Sequence, residues 1–370
     1  MTNYVWQSSS WPKFKWDNEK ILSVLTEAKK VQGYILGQAH LLNLEDEAKL
    51  FVEETFTTSA IEGEGLDKES IRSSVAKRLG LETGGVLKTQ RNIDGVVDVL
   101  VDATRNYANP LNERRLFGWH AALFPTGHSG ISKIDVGHWR KTSNPMRVIS
   151  GSMGKEKVHF EAPPSKEVPK EMRLFLKWFN GDSGSDGLIR AAIAHFWFIT
   201  IHPFEDGNGR IARAITDMAL AQDEKLSKRV YSLSSQIMTD KKKYYDILEK
   251  NQKGDGDITG WLQWFLNMFI KSVENSKSLI LKAIFVGDFY KFHAETIFNE
   301  RQQKVIKKLL EHLPSDFTGG LTNKKYVSMT KTSPESAKRD IADLLNKRIL
   351  LSNEGKGRST SYRLNRDLRY

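Results

Sequence analysis

Residues 202–213 of the 370-residue chain read HPFEDGNGRIAR, and this run gathers side chains that could do chemistry together. His202 has an ordinary pKa that suits a general base near neutral pH. Asp206 offers hard carboxylate oxygens of the kind that bind Mg2+ shared with phosphates. Arg210 and Arg213 stand three apart, so on a helix they face the same way and both reach one polyphosphate. Gly207 and Gly209 allow torsions and a close backbone approach that a Cβ forbids. Phe204 turns inward and anchors the loop. Taken singly, each residue has an ordinary structural explanation. The joint pattern points to a nucleoside triphosphate site that carries a base.

The flanking patterns say how such a loop is held. GLIRAAIAHFWFIT (187–200) reads as a buried helix delivering the chain to His202, and RIARAITDMALAQ (210–222) reads as the next helix. FEDGNG is then a tight turn opening onto a helix N-terminus, whose unpaired N–H groups and partial positive charge bind phosphate. Helical spacing also runs over 17–40, with Asp17 as a cap, and over 45–62, closed by Gly63 and Gly65. It recurs at 90–106, 112–124, 169–180, 240–250 and 258–275. Residues 144–164 break the rhythm: Val148 and Ile149, a Gly-containing turn, then Val158 to Phe160 before Pro163 and Pro164, which reads as a β-hairpin.

The loop resembles the signature of the Fic family, His-Pro-Phe-x-Asp/Glu-Gly-Asn-Gly-Arg-x-x-Arg, at every defined position. TSAIEG (58–63) resembles that family's inhibitory motif, Ser/Thr-x-x-x-Glu-Gly/Asn, and the hairpin lies where the family has its target-binding flap. WPKFKWD (11–17) resembles the region that often precedes such cores. The resemblance implies a mostly α fold: a Fic-type helical core with a short β-hairpin flap. It also implies transfer of AMP from ATP to a Ser, Thr or Tyr hydroxyl of a protein, or of the chain itself. His202 would be the base, Asp206 the Mg2+ ligand, and Phe204, Gly207, Asn208, Gly209, Arg210 and Arg213 the nucleotide-binding set, with Asn208 lining the anion site. Val148, Ile149, Val158 and His159 would form the flap that holds the target. Glu62, with Thr58 holding its helix, would compete for Arg213 and keep the resting enzyme slow, and Glu64 is a rival for that role. Some relatives use the same glutamate to remove AMP, so de-AMPylation through Glu62 is a second expectation.

The net charge of +11 is concentrated at the end of the chain, where residues 301–370 carry 16 Lys and Arg against 7 Asp and Glu. Three helices and a hairpin in that segment read as a winged helix-turn-helix, with Ser333 as a cap and Pro334 at the first helical position. Lys338, Arg339, Lys347 and Arg348 on its recognition helix, with Lys356 and Arg358 at the wing tip, are the footprint of a module facing duplex DNA. Ser333, Glu335 and Ser336 could reach base edges. This leaves a competing reading, a DNA-binding regulator whose Fic core senses nucleotide, although an intact base at 202 favours the enzyme. The expected organisation is an N-terminal helical region with the inhibitory helix (1–90), the catalytic core (91–275), a linker or helix (276–300) and the winged helix (301–370). The absence of cysteine excludes disulfides and thiolate zinc sites and fits a reducing compartment such as the cytoplasm. No signal peptide or membrane span is expected, and an exposed helical face admits a homodimer.

Overall fold

The computed structural model describes residues 4–81, 90–150, 157–181, 184–313, 315, 317–353 and 360–367. The described chain is mostly helical, with small antiparallel hairpins. It divides into two compact units, Met1–Ser276 and Lys277–Tyr370.

The first unit opens with a 3-10 turn at Val5–Gln7, followed by α1 (Asn18–Gln38), α2 (Leu44–Ile61) and α3 (Lys68–Leu79). Asp17 caps α1 by accepting the Glu19 and Lys20 N–H groups, and Asn43 caps α2. Next come α4 (Arg91–Arg105), α5 (Glu113–Leu123), a short hairpin of β1 (His128–Ser129) and β2 (Ser132–Lys133), and a second hairpin of β3 (Arg147–Ser150) and β4 (Lys157–Glu161). The unit continues through α6 (Val168–Asn180), α7 (Gly187–Ile201), α8 (Asn208–Glu224), α9 (Leu233–Thr239), α10 (Lys241–Gln252) and α11 (Thr259–Phe292). The division between units falls within α11.

Helix α7 is apolar apart from Arg190, His195 and Thr200, so it sits at the centre. Phe196, Phe198 and Ile201 on it are fully buried, and α8 packs Ile211, Ile215 and Met218 beside it, also fully buried. Helix α2 is bolted to this core by charge as well as by Phe51 and Ile61. Buried Glu54 accepts from the Ser232 hydroxyl at 2.7 Å and the Ser234 N–H at 3.2 Å. It also stands 3.4 Å from Arg229, whose other end pairs with Asp217 of α8. A buried carboxylate holds its place only when hydrogen-bonded and paired in this way. The β3–β4 hairpin matches Ile149 with Val158 and Val148 with Phe160 across an irregularity between Val148 and Ile149. The Trp6 indole donates to the Glu161 carbonyl at 2.7 Å, so the N-terminal turn grips β4.

The second unit runs α12 (Glu300–Glu311), α13 (Asn323–Thr330), α14 (Pro334–Asn346), β5 (Leu350–Ser352) and β6 (Tyr362–Leu364). Val305, Leu309, Tyr326, Ile341, Leu344 and Ile349 form its core. Among the described residues no helix is long and apolar enough to cross a membrane.

Candidate functional site

The α7–α8 connection is built around two backbone reversals. His202 ends α7 in the left-handed region, at φ 51°, which costs a residue with a Cβ about 1–2 kcal/mol. Gly207 begins α8 at φ 79°, and a Cβ there would meet the Phe124 ring at 2.8 Å. Glycine is required at 207 by both the torsion and the space. No side chain caps α8, so its first N–H groups stay available to an anion.

The loop between the reversals is held from beneath. The Phe204 ring is wholly buried and stacks on His120 at 4.2 Å, with the rings 9° apart. Asn208 is buried, and its side chain is spent on Phe204: its carbonyl accepts the Phe204 N–H at 3.0 Å and its amide donates to the Phe204 carbonyl at 2.9 Å. The inward turn expected of Phe204 is what the structure has, and the Asn208 side chain is committed to the loop backbone. Both fix the shape of the loop.

His120 is a site residue that spacing alone could not single out. Its Nδ1 accepts the Gly137 N–H at 3.0 Å, so its proton is on Nε2, which donates to the Asp206 carbonyl at 3.2 Å. Burial pushes its pKa down to about 4, so it stays neutral. The Asp206 carboxylate accepts the Gly207 N–H at 2.6 Å and the Ser129 hydroxyl. Among the described residues no cluster of three acidic, His or Cys side chains could hold an ion by itself. A single oriented carboxylate suits Mg2+ in company with a phosphate, since that ion keeps few protein ligands.

The His202 ring places Nδ1 3.2 Å from the Ile199 carbonyl. A carbonyl only accepts, so Nδ1 carries the proton and Nε2 keeps a lone pair. Burial pushes the His202 pKa down to about 4, with the Arg140 charge acting the same way and the Ile199 bond, Glu62 and Asp206 acting against it.

The two arginines of α8 are almost wholly buried, and each is held by a carboxylate from the turn after α2. Arg213 donates from Nε to the Thr58 hydroxyl at 2.7 Å, and from Nη2 to the Thr58 carbonyl at 2.9 Å and to Glu62 at 2.7 Å. Burial opposes its charge, but the Glu62 carboxylate together with the Tyr244 and Tyr245 phenols holds its pKa above the ordinary value. Arg210 donates from Nη1 to both Glu64 oxygens, at 2.8 and 2.9 Å, and lies over the Phe124 ring. Gly63, at φ 86°, makes the turn that carries Glu62 and Glu64 to the two arginines. A Cβ on Gly209 would come within 2.2 Å of the Glu62 carboxylate, so that carboxylate occupies the space the glycine leaves at the start of α8. The Nη1 of Arg213 and the Nε of Arg210 are buried with no partner, which is costly in a dry site and suits an arriving anion. Tyr244 and Tyr245 of α10 border the Glu62–Arg213 pair and are two further site residues; burial pushes the Tyr245 phenol up to about 12, and Glu62 and Tyr244 lie close by.

On the β3–β4 hairpin, Ile149 and Val158 are exposed and Val148 is half-buried. His159 is turned back to the core: Nδ1 meets Glu249 of α10 at 2.5 Å, and Nε2 meets the Ser150 hydroxyl at 2.6 Å. In the C-terminal unit Lys338 and Arg339 are exposed on α14. Lys347 is tied to Asp343 and to the Ile297 carbonyl, and the Ser333 hydroxyl is spent capping α14 at Ser336. Lys356 and Arg358 lie outside the described residues.

Residues 110–220 match the model of the Fic/DOC family, and residues 4–81 match that of a domain of unknown function, DUF4172. The chain is 30% identical over 174 residues to protein adenylyltransferase fic-1 of Caenorhabditis elegans, covering 45% of this chain and 30% of that protein. It is 28% identical over 95 residues to the probable protein adenylyltransferase aq_aa38 of Aquifex aeolicus, covering 26% of this chain and 27% of that one. The matched part thus spans under a third of each relative. A crystal structure of a Fic family protein from Desulfovibrio desulfuricans G20 shares the fold, with a TM-score of 0.56 at 19% identity over 94% of this chain and 96% of that one.

Proposed function

Given that the chain carries a Fic/DOC family domain over residues 110–220, we propose that it is a protein adenylyltransferase held in check by Glu62 and Glu64. The observation that carries this reading is the pair of buried arginines. Each is neutralised by a displaceable carboxylate, keeps one unpartnered nitrogen, and stands at the open N-terminus of α8 close to a neutral His202. ATP would seat its β- and γ-phosphates on Arg210 and Arg213 after Glu62 and Glu64 withdraw. The target hydroxyl gives its proton to Nε2 of His202 while its oxygen bonds the α-phosphorus. The bond from that phosphorus to the bridging oxygen breaks, and pyrophosphate leaves. The protein contributes position and electrostatic stabilisation. Asp206 would hold Mg2+, which when bound neutralises charge on the phosphates. Ile149 and Val158 on the exposed flap would align the target backbone as an added strand. The test is transfer of label from α-labelled ATP, but not from γ-labelled ATP, to protein. Equal transfer from both labels, or from γ alone, refutes it.

The His202 base form follows from its depressed pKa. A lowered pKa leaves the ring neutral and base-competent above about pH 4, with competence lost as pH falls through that value. NMR titration of the free protein, with the His202 signal assigned from a His202→Asn variant, should give a midpoint near 4. A midpoint at the ordinary value of a solvated imidazole would show that the ring is not buried in the way described.

The exposed Lys338 and Arg339 on α14 support a second proposal, that the C-terminal unit faces a phosphate backbone. The full chain should retard duplex DNA at low salt, and the shift should weaken steeply as salt rises. Lys338→Ala/Arg339→Ala should lessen both the affinity and the salt slope; an unaltered shift would remove α14 from the interface.

A further inference from the structure

One residue touches the backbone both at the base and at the exit of the flap. Arg140 lies between β2 and β3 in the chain. Its Nε donates to the His202 carbonyl at 2.7 Å, and its Nη2 to the carbonyls of Pro163, at 2.5 Å, and Ile201, at 3.4 Å. Its own N–H donates to the Pro203 carbonyl at 2.9 Å. Pro163 follows two residues after β4 ends at Glu161. The side chain is only 2% exposed, and among the described residues no carboxylate pairs with it. Burial alone pushes its guanidinium down to about 10. A buried cation without a counter-ion is a poor stabilising device, and a well-packed apolar residue would do better. What the guanidinium supplies instead is a rigid fork of donors. Main-chain carbonyls accept from it on two separate segments, and a lysine ammonium cannot reproduce that planar geometry.

The geometry points to Arg140 as a positioning residue for AMP transfer, holding the left-handed turn at His202 and the exit of the flap at one fixed spacing. This rests on the transferase reading above. The base is carried by the turn and the target by the hairpin, so the distance from Nε2 to the target hydroxyl is set by whatever fixes one against the other. A displacement of about 1 Å at a reacting atom lowers the rate on the order of a hundredfold. Arg140 is not placed on the phosphates, so ATP affinity should not depend on it.

The test compares Arg140→Lys and Arg140→Gln in the Glu62→Gly background. AMP transfer is measured under saturating ATP, ATP binding by calorimetry, and amide exchange by mass spectrometry. The expected result is a kcat about 10- to 100-fold lower, an ATP Kd changed by less than about twofold, and faster exchange in residues 157–163 and 202–207 together. An unchanged kcat overturns the inference. So does a loss of ATP affinity equal to the loss of rate, or faster exchange throughout α7 and α8, which would mark a purely structural residue. If Glu62→Gly itself transfers no AMP, the transferase reading fails separately. The exchange data then decide the clamp: a paired rise supports it, and a rise in one segment or in neither overturns it.

Discussion

Glu62→Gly should transfer AMP from α-labelled ATP roughly 10- to 100-fold faster than the unaltered chain. The argument starts from the 2.7 Å bond between Glu62 and the buried Nη2 of Arg213. A charge-assisted hydrogen bond of this kind contributes about 1.5–3 kcal/mol, and ATP must forgo or break it to use the same nitrogen. Glycine at 62 removes the competitor without strain, because the residue sits at the end of α2 at an ordinary φ of −83°. Arg213 keeps the Thr58 hydroxyl and carbonyl, so the variant should fold. It will lack a counter-ion when empty, so its melting temperature should fall without ATP and recover with it more than in the unaltered chain. Glu64 is 40% exposed, and its pair with Arg210 is screened by solvent. Glu64→Gln should therefore act mainly on ATP affinity, by about two- to fivefold, and its effect should add to that of Glu62→Gly. A Glu62→Gly rate at or below that of the unaltered chain, with ATP still bound, would remove Glu62 from the inhibitory role.

The helices that frame the site were legible because their signals are local. Asp17 before α1, Gly63 after α2 and Pro334 inside α14 are start and stop marks that depend on near neighbours. The largely apolar run at 187–201 announced a central helix for the same reason. Helix α3 was missed because its sequence, KESIRSSVAKRL, is polar with only a weak stripe, and it is held by Ile71 and Val75 packing inward rather than by its own pattern. The motif residues were found as a set, but the internal bonds each side chain makes were hidden. Phe204 was readable as the inward anchor, whereas only the fold shows the Asn208 side chain bonded to the Phe204 backbone beneath the turn. His120, Arg140 and Tyr245 had no signal at all. Each acts across long separations, as His120 does on Asp206 and Arg140 on Pro163, and no spacing rule reaches that far. Glu64 was readable only as a rival of Glu62. The turn at Gly63 gives each carboxylate its own arginine.

His202→Ala, placed in the Glu62→Gly background, should lower AMP transfer by about a hundred- to ten-thousandfold, the range that a positioned general base contributes. The free lone pair is on Nε2, because Nδ1 is committed to the Ile199 carbonyl. No other described side chain of the loop offers an uncommitted neutral base: Asp206 is engaged by Ser129 and Gly207, and Glu205 by the Asp135 N–H. Alanine at φ 51° would also disturb the turn, so a second variant is needed to separate geometry from proton transfer. His202→Asn suits this purpose, since asparagine tolerates the left-handed region and cannot accept a proton at neutral pH. Both variants should bind ATP as the parent does, because they leave Arg210 and Arg213, the proposed phosphate site, untouched. If asparagine restores the rate while alanine does not, His202 serves the turn and the base lies elsewhere. If both lose the rate and keep the nucleotide, the loss belongs to the proton-accepting nitrogen itself.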